Sequence, residues 1–246
     1  MTMCVLLLAI GLVNSPALAA TCSYTNLSGV FGYVHGRPGT LATVVVGQLT
    51  FDGHGNVTSA SWTESEIGSI KTGTTTGTYT ISPSCSGTLT LTDEDIGLSH
   101  FDIYLNLGNK MFQMIQTDSG SNQPGFGQTE GTVTCGVPGK EVFLTTNLLG
   151  LVNSLPAETV GAVTLDGDGN ISGTETFTTN GVVDTLSVTG TYTENSDCTG
   201  TWEITPTGGT PVTFNTVIVN GGNEFLLIQT NTGAITTGSA QTSATL

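Results

Sequence analysis

Positive charge is the scarcest feature of this sequence. Only 4 of its 246 residues are Lys or Arg, against 19 Asp and Glu, and the formal net charge is −15. A chain this acidic repels phosphate backbones and anionic lipid headgroups. The composition therefore argues against a nucleic-acid partner and against binding to a membrane surface.

Long apolar stretches are also missing. The run at residues 4–13 is too short to cross a bilayer as a helix, and it is followed by Pro16 and by an Ala-Leu-Ala cleavage signal at 17–19. We therefore predict a signal peptide at residues 1–20, a secreted (extracellular or periplasmic) mature protein and no membrane span. A lipid anchor on Cys22 is the competing interpretation, although the residues before it match a lipobox poorly.

No segment of the sequence shows a helical periodicity. The sequence does contain a duplication. Residues 47–56 (GQLTFDGHGN) recur at 161–170 as GAVTLDGDGN. Gly-Thr-Tyr-Thr, Cys-x-Gly-Thr and Ile-Gln-Thr segments recur as well, at nearly the same offset. A repeated unit of about 110 residues has the size of a domain. We therefore predict two similar domains in tandem, at residues 21–134 and 135–246.

The repeated Asp-Gly-x-Gly-Asn segment predicts a tight hairpin, because its glycines and asparagine supply positive φ angles. A calcium loop is the alternative, since Asp166, Asp168 and Asn170 stand at alternate positions. An EF-hand would need Gly where Ile171 stands and a carboxylate where Phe177 stands, so the hairpin is the better interpretation.

Four cysteines remain once the leader is set aside, and they allow three pairings. Corresponding cysteines in each copy are 63 residues apart. The repeat therefore favours the bridges Cys22–Cys85 and Cys135–Cys198, one in each domain. Metal binding is the weaker alternative, because no Cys-x-x-Cys or histidine pair accompanies these residues.

Each copy contains about eight strand-like runs separated by Gly, Pro, Asn and Asp turns. Hairpin-length connections imply antiparallel pairing of neighbours in sequence, and a closed barrel of eight such strands leaves no exposed edge. We predict an all-β protein of two tandem eight-stranded antiparallel β-barrels, with two-sheet sandwiches as the alternative.

The seventh run of each copy is apolar on both faces, which predicts burial on both sides. Its outer face carries Gln113 and Ile115 in the first copy, and Leu226 and Ile228 in the second. Such a face would lie under a loop or against the other domain, and we expect it to form the contact between the two domains.

Catalytic motifs are absent. The chain has no Gly-x-Ser-x-Gly elbow, no His-Glu-x-x-His pair, no phosphate-binding loop and no dinucleotide fingerprint. Its three histidines are scattered: His54 falls in a turn exposed to solvent, and we interpret His35 and His100 as ordinary strand residues. No cofactor is indicated.

Two acidic groups have plainer explanations than chemistry. Glu64 and Glu66 share one face of a predicted strand, as paired carboxylates of a glycosidase would. Their counterparts in the second copy are Thr178 and Asn180, which favours a solvated surface. The run at residues 93–95 (Asp-Glu-Asp) has the composition of a weak calcium site and is better explained as an acidic turn, so no metal site is predicted.

Residues present in both copies are the better candidates for function. Tyr79 with Tyr192, and Gln116 with Gln229, each place a hydrogen-bonding tip on a strand that otherwise has a core pattern. Inside a barrel these side chains would orient a small ligand among apolar walls. The alternative is that the tyrosines satisfy their hydroxyls at the rim and the glutamines bond a backbone edge.

The repeated motifs resemble a set of secreted bacterial proteins of unknown function, similar to the calycin-like barrels, with allene oxide cyclase and dirigent domains as fold relatives. The resemblance rests on Gly-x-Leu-Thr-Phe-Asp-Gly-x-Gly-Asn, Gly-Thr-Tyr-Thr, Cys-x-Gly-Thr and Ile-Gln-Thr-Asp-x-Gly, and it covers both copies. It implies the barrel fold. The functional residues of the plant cyclases have no matching motif here, so none is carried over.

These observations favour a secreted protein of two tandem barrels, each with one disulfide. It would have no catalytic activity and would bind a small apolar ligand or a cell-surface partner. One alternative is an enzyme similar to the cyclase or dirigent barrels, which would steer a reactive intermediate in its pocket. Another is a structural surface or matrix protein. No oligomeric state follows from the sequence.

Overall fold

The computed structural model describes residues 21–36, 43–93, 97–121, 123–136 and 141–243. The predicted signal peptide and the second and third residues of the acidic run at 93–95 lie outside these ranges. Regular structure in the described residues is β-strand apart from 3-10 turns at Tyr24–Asn26 and Asn220–Gly222. The all-β prediction is confirmed.

Sixteen strands are present in the described part of the chain, eight in each copy. The first eight are β1 (Ser28–Gly36), β2 (Thr43–Asp52), β3 (Asn56–Glu66), β4 (Ser69–Ile81), β5 (Ser86–Asp93), β6 (Gly97–Asn106), β7 (Met111–Gln116) and β8 (Pro124–Thr129). The next eight are β9 (Val142–Val152), β10 (Leu155–Leu165), β11 (Asn170–Thr179), β12 (Val182–Glu194), β13 (Thr199–Pro206), β14 (Val212–Val219), β15 (Glu224–Gln229) and β16 (Ala234–Thr242).

Each set of eight strands closes on itself. Within each set, every strand pairs antiparallel with its neighbour in sequence, and the last strand pairs with the first, β8 with β1 and β16 with β9. The protein therefore consists of two closed eight-stranded antiparallel barrels, as predicted, and not of sandwiches. The bridges Cys22–Cys85 and Cys135–Cys198 are both formed, as the repeat predicts.

The Asp-Gly-x-Gly-Asn segments are hairpins that join β2 to β3 and β10 to β11. In the first, Asp52 Oδ1 accepts hydrogen bonds from the backbone N–H groups of His54 (2.7 Å) and Asn56 (3.0 Å). Its Oδ2 accepts one from the side-chain amide of Asn56 at 2.6 Å. These bonds lower the pKa of Asp52 to about 2, and Asp166 is bonded in the same way in the second hairpin. The hairpin interpretation is confirmed.

Inward-facing side chains fill much of each barrel. In the first barrel the rings of Phe31 and Phe112 each pack edge to face on Phe51. Their centroids lie 5.4 and 5.8 Å from the centroid of the Phe51 ring. In the second barrel Trp202 packs on Phe225 at 5.4 Å. Because aromatic rings bury large apolar areas, these clusters are a main source of each barrel's stability.

A third apolar cluster lies between the two barrels. Strands β1–β3 of the first barrel pack on β14–β16 of the second. The buried residues of this cluster are Val44, Val46, Val217, Val219, Leu226, Ile228 and Ile235. The approach is close enough to need a glycine: a Cβ on Gly32 would lie 2.4 Å from Val219 Cγ1. The Ser65 hydroxyl also donates to the carbonyl of Ala234 at 2.6 Å across this contact.

The predicted role of the seventh strand in joining the domains is right for the second copy and wrong for the first. Leu226 and Ile228 are fully buried in the cluster between the barrels, whereas Ile115 is 45% exposed and Gln113 is also exposed. The reason is that the contact is not symmetric. The second barrel presents its seventh strand and the strands on either side of it, but the first barrel presents its first three.

Candidate functional site

A pocket of about 330 Å³ opens at one end of the first barrel, where β1 leads towards β2 and β3 turns into β4. We call it the first-barrel pocket; its lining includes Tyr33, His35, Val45, Trp62, Glu64, Asp93, Phe101 and Gln116. At the opposite end, the hydroxyl of Tyr79 donates to the carbonyl of Leu27 at 2.8 Å and secures the segment that covers the barrel. The first-barrel pocket thus lies at one end, and the segment before β1 is bonded to Tyr79 at the other end.

Tyr33 and His35 occupy alternate positions of β1, so both point into the barrel. Their rings are stacked, with centroids 5.9 Å apart and planes 11° apart. Phe101 from β6 packs edge-on against the imidazole at 5.3 Å. Packing on both sides therefore fixes the orientation of the His35 ring.

A hydrogen bond fixes which nitrogen of His35 carries the proton. Nδ1 lies 2.9 Å from Oε1 of Gln123. Because that oxygen only accepts, Nδ1 is the donor and Nε2 holds a lone pair. Burial lowers the pKa of His35 to about 4. The ring is therefore neutral near pH 7, and Nε2 has no partner among the described residues.

The hydroxyl of Tyr33 is a donor beside this acceptor. The residue is 2% exposed, and its hydroxyl bonds to no residue in the described ranges. Burial raises the pKa of Tyr33, and the negative charges of Asp93 and Glu64 raise it further. The phenol therefore keeps its proton, so β1 presents one donor and one acceptor to the pocket.

Charged and indole groups also line the pocket. The Trp62 indole N–H donates to Asp93 Oδ2 at 2.8 Å, which holds the indole ring in place. Lys71 Nζ lies 3.8 Å from Glu64 Oε1 and 2.6 Å from Glu66 Oε2. Burial raises the pKa of Glu64. The expectation of a solvated surface is wrong for Glu64, which is 8% exposed and lines the pocket.

A bulge explains why the repeat misleads at this point. Strand β3 has one extra residue near Thr58, where its pairing with β2 shifts. The pairing of β10 with β11 has no such shift. In consequence Glu64 corresponds to Phe177 and not to Thr178, and Glu66 moves by one position in the same way.

The four residues predicted to contact a ligand fall in two different places. Gln116 lines the first-barrel pocket, and Gln229 lines a pocket of about 240 Å³ at the corresponding end of the second barrel. Each amide donates to the side chain two residues further on, Asp118 at 2.9 Å and Asn231 at 3.3 Å. The glutamines are therefore at pockets, although their nitrogens already have partners.

The two tyrosines lie at the other end of each barrel. Tyr79 is bonded to backbone carbonyls, as described above. The hydroxyl of Tyr192 accepts a hydrogen bond from the backbone N–H of Gly167 at 3.1 Å, beside a cleft of about 330 Å³. The structure does not bring the tyrosines and glutamines together, and their contact with a ligand stays a prediction.

The histidines differ from one another in their surroundings. His54 is exposed in its hairpin, as expected. His100 is at the surface, where its Nδ1 lies 2.7 Å from Asp118 Oδ1. His35 is the one whose interpretation as an ordinary strand residue misses its position in the pocket. A tyrosine and a histidine at alternate positions near the end of a barrel strand are the signal that could have identified it.

Comparison with known proteins gives little further. No family model matches the chain, and no curated protein matches it. Among solved structures, the chain is similar to kievitone hydratase from Nectria haematococca, with 9% identity, 93% of this chain and 92% of that chain covered, and a TM-score of 0.30. A similarity this distant says nothing about the activity of this chain. The fold itself defines a tandem β-barrel protein with a pocket in each barrel.

Proposed function

We propose that the first barrel binds a small uncharged molecule that has an aromatic or apolar body and one hydroxyl group. The observation that carries this proposal is the pair formed by Tyr33 and His35. One offers an O–H donor and the other a lone pair on Nε2, and neither atom has a partner within the described residues. A ligand hydroxyl satisfies both, because it accepts from Tyr33 and donates to His35.

The walls of the pocket suit an aromatic or apolar body. Trp62, Phe101 and Leu91 line it, and the last two are almost wholly buried. Aromatic side chains bind flat apolar molecules through area burial and ring stacking. The bond from Trp62 to Asp93 holds one wall in position before a ligand arrives, which lowers the entropy cost of binding.

The charge of the pocket disfavours anions. Among the described residues, Glu64, Glu66 and Asp93 line it together with one cation, Lys71. A carboxylate or phosphate ligand would meet an excess of negative charge in a partly desolvated site. Neutral molecules avoid this penalty, which supports an uncharged ligand.

The location and the domain division belong to the same proposal. We infer that the mature protein, residues 21–246, acts outside the cytoplasm and that 21–134 and 135–246 are its two domains. The two disulfides support an oxidising compartment. No helix in the described part of the chain is long and apolar enough to span a membrane. A relation to the calycin-like barrels would fit small-molecule binding.

The binding test uses 4-propylphenol as the probe and propylbenzene as its hydroxyl-free counterpart, measured by protein-observed NMR on residues 21–246. We expect Tyr33→Phe and His35→Phe each to weaken 4-propylphenol binding about fivefold, the worth of one hydrogen bond, and to leave propylbenzene binding unaffected. Tyr104→Phe is the matched control, because Tyr104 is 58% exposed. Absence of saturable binding, or equal binding by the Tyr33 and His35 variants, would overturn the proposal and favour a structural role.

Proton transfer is the second candidate function. Gln123 fixes the proton on Nδ1 of His35, and burial keeps the ring neutral, so Nε2 is a preoriented general base. An enzyme of this kind would take a proton from a weakly acidic O–H or C–H group of the bound molecule. Proton exchange at the acidic position of a bound probe, lost in His35→Phe but kept in Tyr104→Phe, would support catalysis over simple binding.

A further inference from the structure

The second barrel has its own pocket at the end that corresponds to the first-barrel pocket. It has a volume of about 240 Å³ and lies where β9 joins β10 and β13 joins β14. Most of its walls are apolar, and these include Leu148, Phe177, Ile204, Val212 and Phe214. We call it the second-barrel pocket.

The two pockets differ by an exchange of side chains on one strand. In the first barrel Trp62 pairs with Gly47, and Glu64 follows two positions later on the same face. In the second barrel Glu175 pairs with Gly161, the counterpart of Gly47, and Phe177 follows it. The aromatic ring and the carboxyl group have therefore changed places. The second-barrel pocket is therefore not a copy of the first and has different polar groups in its lining.

Glu175 is a buried carboxyl with one half of its hydrogen-bonding capacity in use. The residue is 3% exposed. Its Oε1 accepts a hydrogen bond from the Thr146 hydroxyl at 3.0 Å, and no group in the described ranges bonds to Oε2. Burial raises the pKa of Glu175. Its protonated form offers the O–H on Oε2 as a donor into an apolar pocket.

Thr236 is a second, independent polar group that lines the same pocket. It is 5% exposed and lines the pocket. Its hydroxyl is buried and has no hydrogen-bond partner among the described residues. Buried hydroxyls are normally paired, because an unpaired one loses its hydrogen bonds to water without replacement. Thr236 therefore adds a second buried hydrogen-bond donor to the lining of this pocket.

We propose that the second-barrel pocket binds a small uncharged molecule with an apolar body and a carbonyl oxygen, which accepts hydrogen bonds from Glu175 and Thr236. This ligand class differs from that of the first-barrel pocket, where a lone pair on His35 favours a ligand that donates. The two proposals are independent, because they concern different barrels and different residues. The duplication thus gives one protein with two binding sites of different chemistry.

The test uses the bicyclic ketone 1-tetralone and its carbonyl-free counterpart tetralin, titrated into residues 21–246 and followed by protein-observed NMR. We expect saturable shifts at the second barrel, around Gly150 and Gly161, and about fivefold tighter binding of the ketone. Glu175→Leu should remove the preference for the ketone, whereas Glu175→Gln, which keeps a donor, should retain it. Glu203→Gln is the matched control on an exposed glutamate.

Thr236→Val gives a second measurement should Glu175→Leu fail to fold. It removes a hydroxyl without changing side-chain shape, and we expect it to lower the ketone preference two- to fivefold. Three results would overturn the proposal. These are no saturable binding of 1-tetralone, shifts confined to the first barrel, or a ketone preference that persists unchanged in both the Leu and the Val variant.

Discussion

His35 shows how the surroundings of one residue can define a site. Tyr33 and Phe101 pack against its ring, and the hydrogen bond to Gln123 fixes the proton on Nδ1. The sequence places His35 on a strand and, by alternation, on the same face as Tyr33. It does not say that Gln123, 88 residues away, meets Nδ1, because that contact exists only once β8 closes the barrel on β1. Non-local closure is why the candidate site is harder to predict than the fold.

The lowered pKa of His35 has a consequence for stability. Its folded pKa of about 4 lies below the ordinary value of 6.5, so the unfolded chain takes up the proton first as pH falls. The contribution of neutral, buried His35 to the free energy of unfolding is therefore fully present above about pH 6.5. It is lost as the pH falls from about 6.5 to about 4. We expect a loss of up to about 3 kcal/mol in the free energy of unfolding. Urea titrations at several pH values should show that His35→Phe lacks this loss of unfolding free energy. The same pH dependence in the variant and the wild-type protein would contradict the prediction.

Among the predicted ligand residues, Gln116 and Gln229 are at pockets and Tyr79 and Tyr192 are at the opposite barrel ends. The repeat identifies all four because each occurs in both copies. Recurrence does not distinguish a residue that is required for folding from one that is required for function. His35, by contrast, has no counterpart histidine in the second copy. A search guided by the repeat therefore passes over it.

At the scale of elements, the turns and strands follow from local sequence. Asp52 and Asp166 each satisfy the donors of their own hairpin, so those turns form from a few adjacent residues. The one irregularity that matters is the extra residue near Thr58 in β3. It changes which residues correspond between the copies, and a bulge of this kind leaves no clear mark in a strand pattern.

The seventh strands provide a matched pair of positions for testing the contact between the barrels. Ile228 in β15 is fully buried in that contact, whereas Ile115 in β7 is 45% exposed. We expect Ile228→Asp to cost 3 kcal/mol or more, roughly the penalty for an unpaired buried charge, and Ile115→Asp to cost about 0.5 kcal/mol or less. Chemical denaturation measures both. Equal losses would mean that the asymmetric contact is wrong.

At the scale of the whole molecule, the two barrels are not equivalent partners. Strands β1–β3 of one meet β14–β16 of the other, so each barrel uses a different face. The sequence predicts two barrels and two disulfides because these repeat. It does not predict an asymmetric contact, because nothing repeats there. The division into domains at 134/135 stays a prediction, which limited proteolysis between the barrels would test.

A buried carboxyl at this contact predicts a pH effect on the whole protein. Glu130 accepts a hydrogen bond from Gln48, whose amide also reaches the backbone carbonyl of Asp197 in the other barrel. Burial raises the pKa of Glu130 to about 7, and the negative charge of Asp197 adds to the rise.

The unfolded chain therefore loses the Glu130 proton at a lower pH than the folded protein does. We expect the contribution of Glu130 to the free energy of unfolding to be fully present below about pH 4.5. It should decline by up to about 3 kcal/mol as the pH rises from about 4.5 through 7. Thermal unfolding should show that Glu130→Gln removes this decline. A decline of the same size in the variant would assign it to other groups.

The ring nitrogens of His35 test the central claim most directly. We would record their ¹⁵N chemical shifts at pH 7 in residues 21–246 while adding 4-propylphenol. The predicted result is a proton on Nδ1, none on Nε2, and a saturable change at Nε2 as the ligand hydroxyl binds there. A proton on Nε2, or an Nε2 shift that does not change at saturating probe, would contradict a binding site built on Tyr33 and His35.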